Sequence, residues 1–266
     1  GSAKVTYQGG KGDSAANPYS NSKGITFSGS GELDNGLNVS VSFVLDQGDD
    51  AGTADSTNKV GSSAPFDSHS VTVSSDGLGS LTFNGEGGGN ATSAISGTAA
   101  GGLWDAFDQL SNSAGITFPD LQVTISSGNN AFVYTSPELM EGLTGVVSYQ
   151  PQGGNTESAT GYGVNYSGVE GLTLVAGQSD INPGYVAGET QETTFGASYS
   201  TAGATIAYQI TDIDYPGASA ADEDSTHMGA SFAINDDLSV SYATQTTDIT
   251  GKGEDETVSG FGISYS

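Results

Sequence analysis

There is no cysteine among the 266 residues, and no arginine. The first absence excludes a disulfide framework and any thiolate metal site. The second leaves five lysines against 31 acidic residues, a net charge of −26. Nucleic acid needs a basic footprint, so it is excluded as a partner. Charge-driven docking on anionic lipid surfaces is excluded for the same reason. No run of about 18 apolar residues exists, so no transmembrane helix is expected. No positively charged start leads into an apolar stretch, so any signal peptide is expected to have been removed. Only two histidines are present, His69 and His227, both at predicted strand starts. No serine elbow, H-E-x-x-H or P-loop stands near them, so no motif supports an enzyme.

What is abundant is glycine, at 41, with 12 tyrosines and 10 phenylalanines. Strand formers alternate with Ser, Thr, Gly and Asn. The stretch Gly24 to Asp46 shows the pattern best. Ile25, Phe27, Gly29, Gly31 and Leu33 share one face, and Thr26, Ser28, Ser30 and Glu32 the other. Asp34-Asn35-Gly36 predicts a tight turn with positive φ at both central residues. Leu37, Val39, Val41, Phe43 and Leu45 then repeat the apolar face, with Val44 as the exception.

The unit recurs along the chain. Ala3 to Tyr7 reads as a strand, and Gln8 to Lys23 as a polar loop. Predicted strand pairs follow at 70–75/80–84, 131–135/143–150, 161–167/172–178, 194–200/204–212 and 227–234/238–245, with a last strand at 257–266. About 14 strands result. Every second connection is a turn of a few residues. The others are long, polar and acidic. Alternation of short and long connections is the signature of an up-and-down antiparallel barrel, with short turns at one rim and long loops at the other. A Greek-key sandwich does not predict that order.

One face of the predicted strands is apolar and free of charge at its centre. A lysine in mid-bilayer costs about 2–4 kcal/mol. Lys11, Lys59 and Lys252 fall in loops, Lys4 on a polar face, and Lys23 at a loop end where it can snorkel. Tyr7, Tyr149, Tyr166, Tyr199, Tyr208 and Tyr265 recur on the apolar face, as interfacial girdles would have them. The other face is Ser, Thr, Gly, Asn and Gln. Burying it dry would leave polar groups unsatisfied, so a wet channel is expected inside.

The longest connection, about 85–130, is long enough to fold inward and narrow that channel. Within it Leu103, Trp104, Phe107 and Leu110 form a short helical stripe, with Asp105 and Asp108 on the other side. Glu86 and Asp120 lie on the same connection. Acidic groups such as Asp49 and Asp50, or Asp222 and Asp224 beside Glu223, offer the oxygen ligands calcium favours, without EF-hand spacing. A solvated loop surface, or one bridged to lipopolysaccharide by divalent ions, fits them equally.

The pattern GITFSGSGELDNGLNVSVSF, the run VTVSSDGLGSLTFNGE into a long loop, the AFVYTSPELMEGLTGVVSYQ hairpin and GFGISYS near the end resemble the general diffusion porins of Gram-negative outer membranes. The alphaproteobacterial type is the most similar, over nearly the whole chain. The resemblance implies one barrel domain over 1–266, of about 16 strands, usually a homotrimer, with the third long loop folded into the lumen. It places Asp105, Asp108, Glu86, Asp120 and Trp104 on the constriction, with Lys4 and Lys23 where the family sets an arginine cluster. Such barrels usually end on an aromatic residue, so about one hairpin is expected beyond Ser266 and a few residues before Gly1. The implied function is passive diffusion of small hydrophilic solutes and ions through the outer membrane, with no cofactor; the net charge of −26 adds an expected preference for cations, and calcium on the acidic loops stays an open alternative. Two other readings fit the composition: a soluble secreted adhesin or surface-layer β protein, and a substrate-specific porin.

Overall fold

The computed structural model describes residues 5–7, 19–21, 25–45, 68–86, 90–96, 130–151, 158–182, 188–216, 222–251 and 256–265. Two short strands, β1 (Val5–Tyr7) and β2 (Tyr19–Asn21), pair with each other. Thirteen strands form one sheet in chain order, each antiparallel to the next. They are β3 (Ile25–Glu32), β4 (Asn38–Leu45), β5 (Ser68–Ser75), β6 (Gly79–Glu86), β7 (Ala131–Thr135), β8 (Leu143–Gln150), β9 (Ser158–Val169), β10 (Leu172–Asn182), β11 (Thr190–Thr201), β12 (Ala204–Asp214), β13 (Glu223–Ala233), β14 (Leu238–Ile249) and β15 (Glu256–Tyr265). One helix, α1 (Ala91–Ser96), follows β6. This is the expected up-and-down order. Among the described residues the sheet is not closed: β3 and β15 are its edges.

Hairpin registers follow the sequence pattern. Phe27 faces Phe43 and Gly29 faces Val41, and the two phenyl rings stack with centroids 5.1 Å apart. The connecting turn differs from expectation. Gly36 has φ 82°, but Asn35 is not among the positive-φ residues. The Asn35 side chain instead accepts from the Leu37 N–H at 3.2 Å, while the Leu33 carbonyl accepts from the Gly36 N–H at 2.8 Å. An Asx-type bond thus does locally what a second left-handed residue would have done. At the β9–β10 turn, Gly171 has φ +77°, and a Cβ there would stand 2.2 Å from the Ser200 carbonyl oxygen. That oxygen sits so close because the Gly171 carbonyl accepts from the Ser200 N–H at 2.8 Å, extending the ladder into the turn.

Three sequence-based expectations are corrected. Tyr19–Asn21 is a strand inside the stretch read as a polar loop. Strands β9 to β14 run two to four residues further into the long connections than the alternation indicates. His227 does not stand at a strand start, because β13 begins at Glu223. It lies inside β13 and is fully buried.

Candidate functional site

The two faces of the sheet are chemically opposite. Large apolar side chains point outward and stay exposed, among them Phe195 at 55% and Ile206 at 61%. Among the described residues no second sheet packs against them. Following one rung of the ladder on the other face gives Val146, Gly163, Gly177, Thr194, Thr211, Ser225 and Thr247. The inward side is therefore small or hydroxyl-bearing across seven strands.

The apolar outer face has a level upper edge when the strands are tilted. On β8 it reaches Tyr149, whose rung passes through Thr160, Asp180 and Gln191 to Asp214 on β12. On β14 it reaches only Tyr242, whose rung passes through Ala230 to Ile206 on β12. The edge thus descends from residue 214 to residue 206 over six strand-to-strand steps. At about 3.3 Å per residue and about 4.8 Å per step, that is roughly 26 Å down for 29 Å across. The slope is about 40°, the strand tilt of barrels in membranes. Beyond that edge the outward residues turn acidic: Asp180, Asp212, Asp214, Asp224 and Asp248 lie towards the long connections.

Helix α1 lies on the inward face, against β8 to β11. Three contacts seat it. The Ala91 N–H donates to Ser148 Oγ at 2.9 Å. The hydroxyls of Thr92 and Ser179 are 3.2 Å apart. Ile95 fills a socket made by absent side chains: a Cβ on Gly163 or Gly177 would stand 2.7 or 2.6 Å from Ile95 Cδ1. Ala91, Ile95, Val146 and Val175 form the buried apolar cluster beneath the helix. Full burial of one such isoleucine contributes about 1.5–3 kcal/mol.

Across β11 to β14 the inward polar groups bond to one another. Thr194 and Thr211 hydroxyls are 3.1 Å apart, and those of Ser225 and Thr247 2.9 Å. Gln245 Nε2 donates to Thr247 Oγ1 at 3.1 Å. The expectation of a wet face is met unevenly. These residues near the long connections are buried, whereas Thr205, Ser231, Ser239 and Ser241, nearer the short turns, are half-exposed. Cross-strand hydroxyl pairing satisfies the Thr194, Thr211, Ser225 and Thr247 hydroxyls of the buried half without water.

Two carboxylates interrupt this inward face, Glu192 and Glu223, which flank Ile213 on one rung. Just past β12, the Tyr215 hydroxyl reaches Glu223 Oε1 at 3.5 Å, and its N–H donates to Asp222 Oδ1 at 3.0 Å. Burial raises the Tyr215 phenol above its ordinary value, and the negative charges of Glu223 and Glu192 add to the shift.

A family model described as Gram-negative porin matches residues 1–266. The chain belongs to that family. Solved structures agree on the fold. A porin refined at 1.8 Å resolution superposes with TM-score 0.64 at 17% identity, covering 93% of this chain and 83% of that one. OmpF of Salmonella typhi, in complex with daunomycin, gives 0.65 at 13%, covering 99% and 83%. OmpT of Vibrio cholerae gives 0.62 at 11%, covering 99% and 78%. No curated protein matches the chain by sequence. The porin is thus an outer-membrane channel protein that crosses with strands.

Of the constriction residues expected for this porin, only Glu86 lies among those described. It ends β6, paired with His69 across a register shift. Asp105, Asp108, Asp120, Trp104, Lys4 and Lys23 lie outside the described residues, as do Asp49 and Asp50. Asp222 is occupied by the Tyr215 N–H, and Asp224 points outward on β13. Among the described residues no group of three or more His, Asp or Glu could hold a metal ion. Sequence reasoning missed α1 and Glu192, and read Glu223 only as one member of an acidic loop cluster. The signal for α1 was present: Ala91 and Ile95 stand at i and i+4 behind Asn90, a good helix cap.

Proposed function

We propose that this porin lets small hydrophilic solutes and ions diffuse passively, and that cations pass more readily than anions. The observation that carries the cation preference is the charge, 31 acidic residues against five lysines and no arginine. The inward placement of Glu192 and Glu223 supports it. So does α1, which ties the start of the acidic stretch holding Asp105, Asp108 and Asp120 to the inner wall. Two charges about 4 Å apart interact by roughly 4 kcal/mol at an effective dielectric near 20. Screening removes most of that beyond about 8 Å at physiological salt. In planar bilayers under a potassium chloride gradient, the reversal potential has the sign of a cation-preferring pore and shrinks as salt rises. A chloride-preferring potential would refute the preference.

A homotrimer is the proposed assembly, with β3 to β6 as the shared wall. Their outward face sets Gly29, Gly31, Val41 and Val71 beside Phe27, Phe43 and Phe83, and no tyrosine occurs between residues 20 and 133. Beyond them Tyr134, Tyr149, Tyr162, Tyr199, Tyr208 and Tyr242 are outward and exposed, as suits contact with lipid. The acidic collar above the apolar face is proposed to meet lipopolysaccharide through divalent cations. Cross-linking in mild detergent is expected to give trimers. Monomers alone would rule out that assembly.

A further inference from the structure

The inner wall has a second region, on β3 to β6. Ser30, Ser40, Thr72 and Thr82 stand side by side on one rung. The next rung towards the long connections is Ser28, Ser42, Ser70 and Asn84. Both rungs face inward: Thr82 pairs with Val133, which packs on the apolar cluster beneath α1. None of these side chains is buried, and neither rung holds a charge. The same residue types on β11 to β14 are disposed the other way, covered and bonded in pairs. Among the described residues only one bond joins two side chains of these β3–β6 rungs, Thr72 to Thr82 at 2.8 Å.

We propose that this wall is a track for neutral polyhydroxyl solutes, sugars or sugar alcohols, which it passes ahead of ethers of the same size. Hydrogen-bond chemistry sets the class. A serine or threonine hydroxyl both donates and accepts, and a solute hydroxyl answers both roles. An ether oxygen or a carboxylate only accepts and an ammonium only donates, and ions find no counter-charge on these rungs. Neighbouring strands stand about 4.8 Å apart, and like-facing residues along a strand about 6.6 Å. A solute with hydroxyls on several carbons therefore reaches two or three wall groups at once. Each such bond replaces one to water and is worth about 0.5–1.5 kcal/mol net. No aromatic side chain stands on the two rungs to add stacking. Attraction that is weak and repeated from site to site suits conduction, because the solute is drawn in without being held.

The inference rests on the passive-diffusion reading above and names a solute class for it. The test puts the intact porin in liposomes and follows osmotic swelling in xylitol and in triethylene glycol. The two are of similar size, but half the oxygens of the glycol are ether. Liposomes without protein give the baseline. Wild type is compared with Ser40→Ala/Thr72→Val/Thr82→Val, in which valine keeps the shape of threonine and so the bore. The expected result is faster entry of xylitol than of the glycol in wild type, and a xylitol-to-glycol ratio about threefold lower in the variant. A ratio unmoved by the substitutions overturns the track. A fall in both rates together, with lower conductance in potassium chloride, means a narrowed bore and also overturns it. Ser40→Ala alone serves if the triple variant does not fold. A wild-type porin that conducts without preferring xylitol sinks this inference only. One that neither conducts nor admits either solute sinks the diffusion reading with it.

Discussion

Glycine at positions 163 and 177 is a functional choice, because the missing side chains are what admit Ile95. Gly177→Val puts a branched side chain where Ile95 Cδ1 sits and pushes α1 towards the lumen. Overpacking of this kind costs about 1–3 kcal/mol, and single-channel conductance is expected to fall and become noisier. Ile95→Ala in the same chain removes the clash and restores conductance, with a coupling energy of about 0.5–3 kcal/mol in thermal unfolding. Gly31 is the control, since a Cβ there meets nothing within 4 Å. Tyr215 gives a pH signature. Its phenol is held above the ordinary value of 10.0, so it stays neutral while an unfolded tyrosine ionises. Below that value it costs nothing. As pH rises through it, the folded state loses stability relative to the unfolded one. In an alkaline absorbance titration Tyr215→Phe is expected to remove a late-ionising phenol from the folded protein. None of these residues stood out in the sequence. A glycine socket and its peg lie 68 and 82 residues apart, and no local pattern joins them.

At the level of the strand, the alternation of apolar and small residues was legible and set the registers correctly, as at β7 and β8, whose bounds match the reading. Strand ends were not. In β10 the alternation stops at Ala176, yet the strand continues through Gln178 and Asp180 to Asn182. The reason is the environment of the outward face. Above the apolar edge an outward residue leaves hydrocarbon, so polar side chains appear on both faces and the period-2 signal vanishes while the ladder persists. The same edge predicts where charge is tolerated. Ile206→Lys, well below it, is expected to cost about 2–4 kcal/mol, read as a lower urea midpoint for folding into vesicles. Thr205→Lys, one residue away on the inward face, is expected to shift that midpoint little and reduce the cation preference instead.

For the molecule as a whole, composition carried most of the reading. Strand count, connection order and the opposite chemistry of two faces pointed to an outer-membrane barrel before any coordinates, and an exposed apolar face of this extent disfavours the soluble alternative. The prediction at this scale is that the porin needs detergent in purification and migrates as a heat-modifiable oligomer. A preparation that stays monodisperse without detergent would contradict it. What the sequence could not give was how the inner wall is filled, because that depends on which residues of distant strands fall on one rung.

Among the described residues the sheet has thirteen members, each running against its neighbour. An odd number leaves the first and last, β3 and β15, pointing the same way. Two such borders cannot bond to each other in the antiparallel manner of every other seam. An all-antiparallel cylinder therefore needs an odd number of strands beyond these thirteen. An edge left unpaired in hydrocarbon would cost several kcal/mol for each unbonded amide, so the seam is as constrained as the wall.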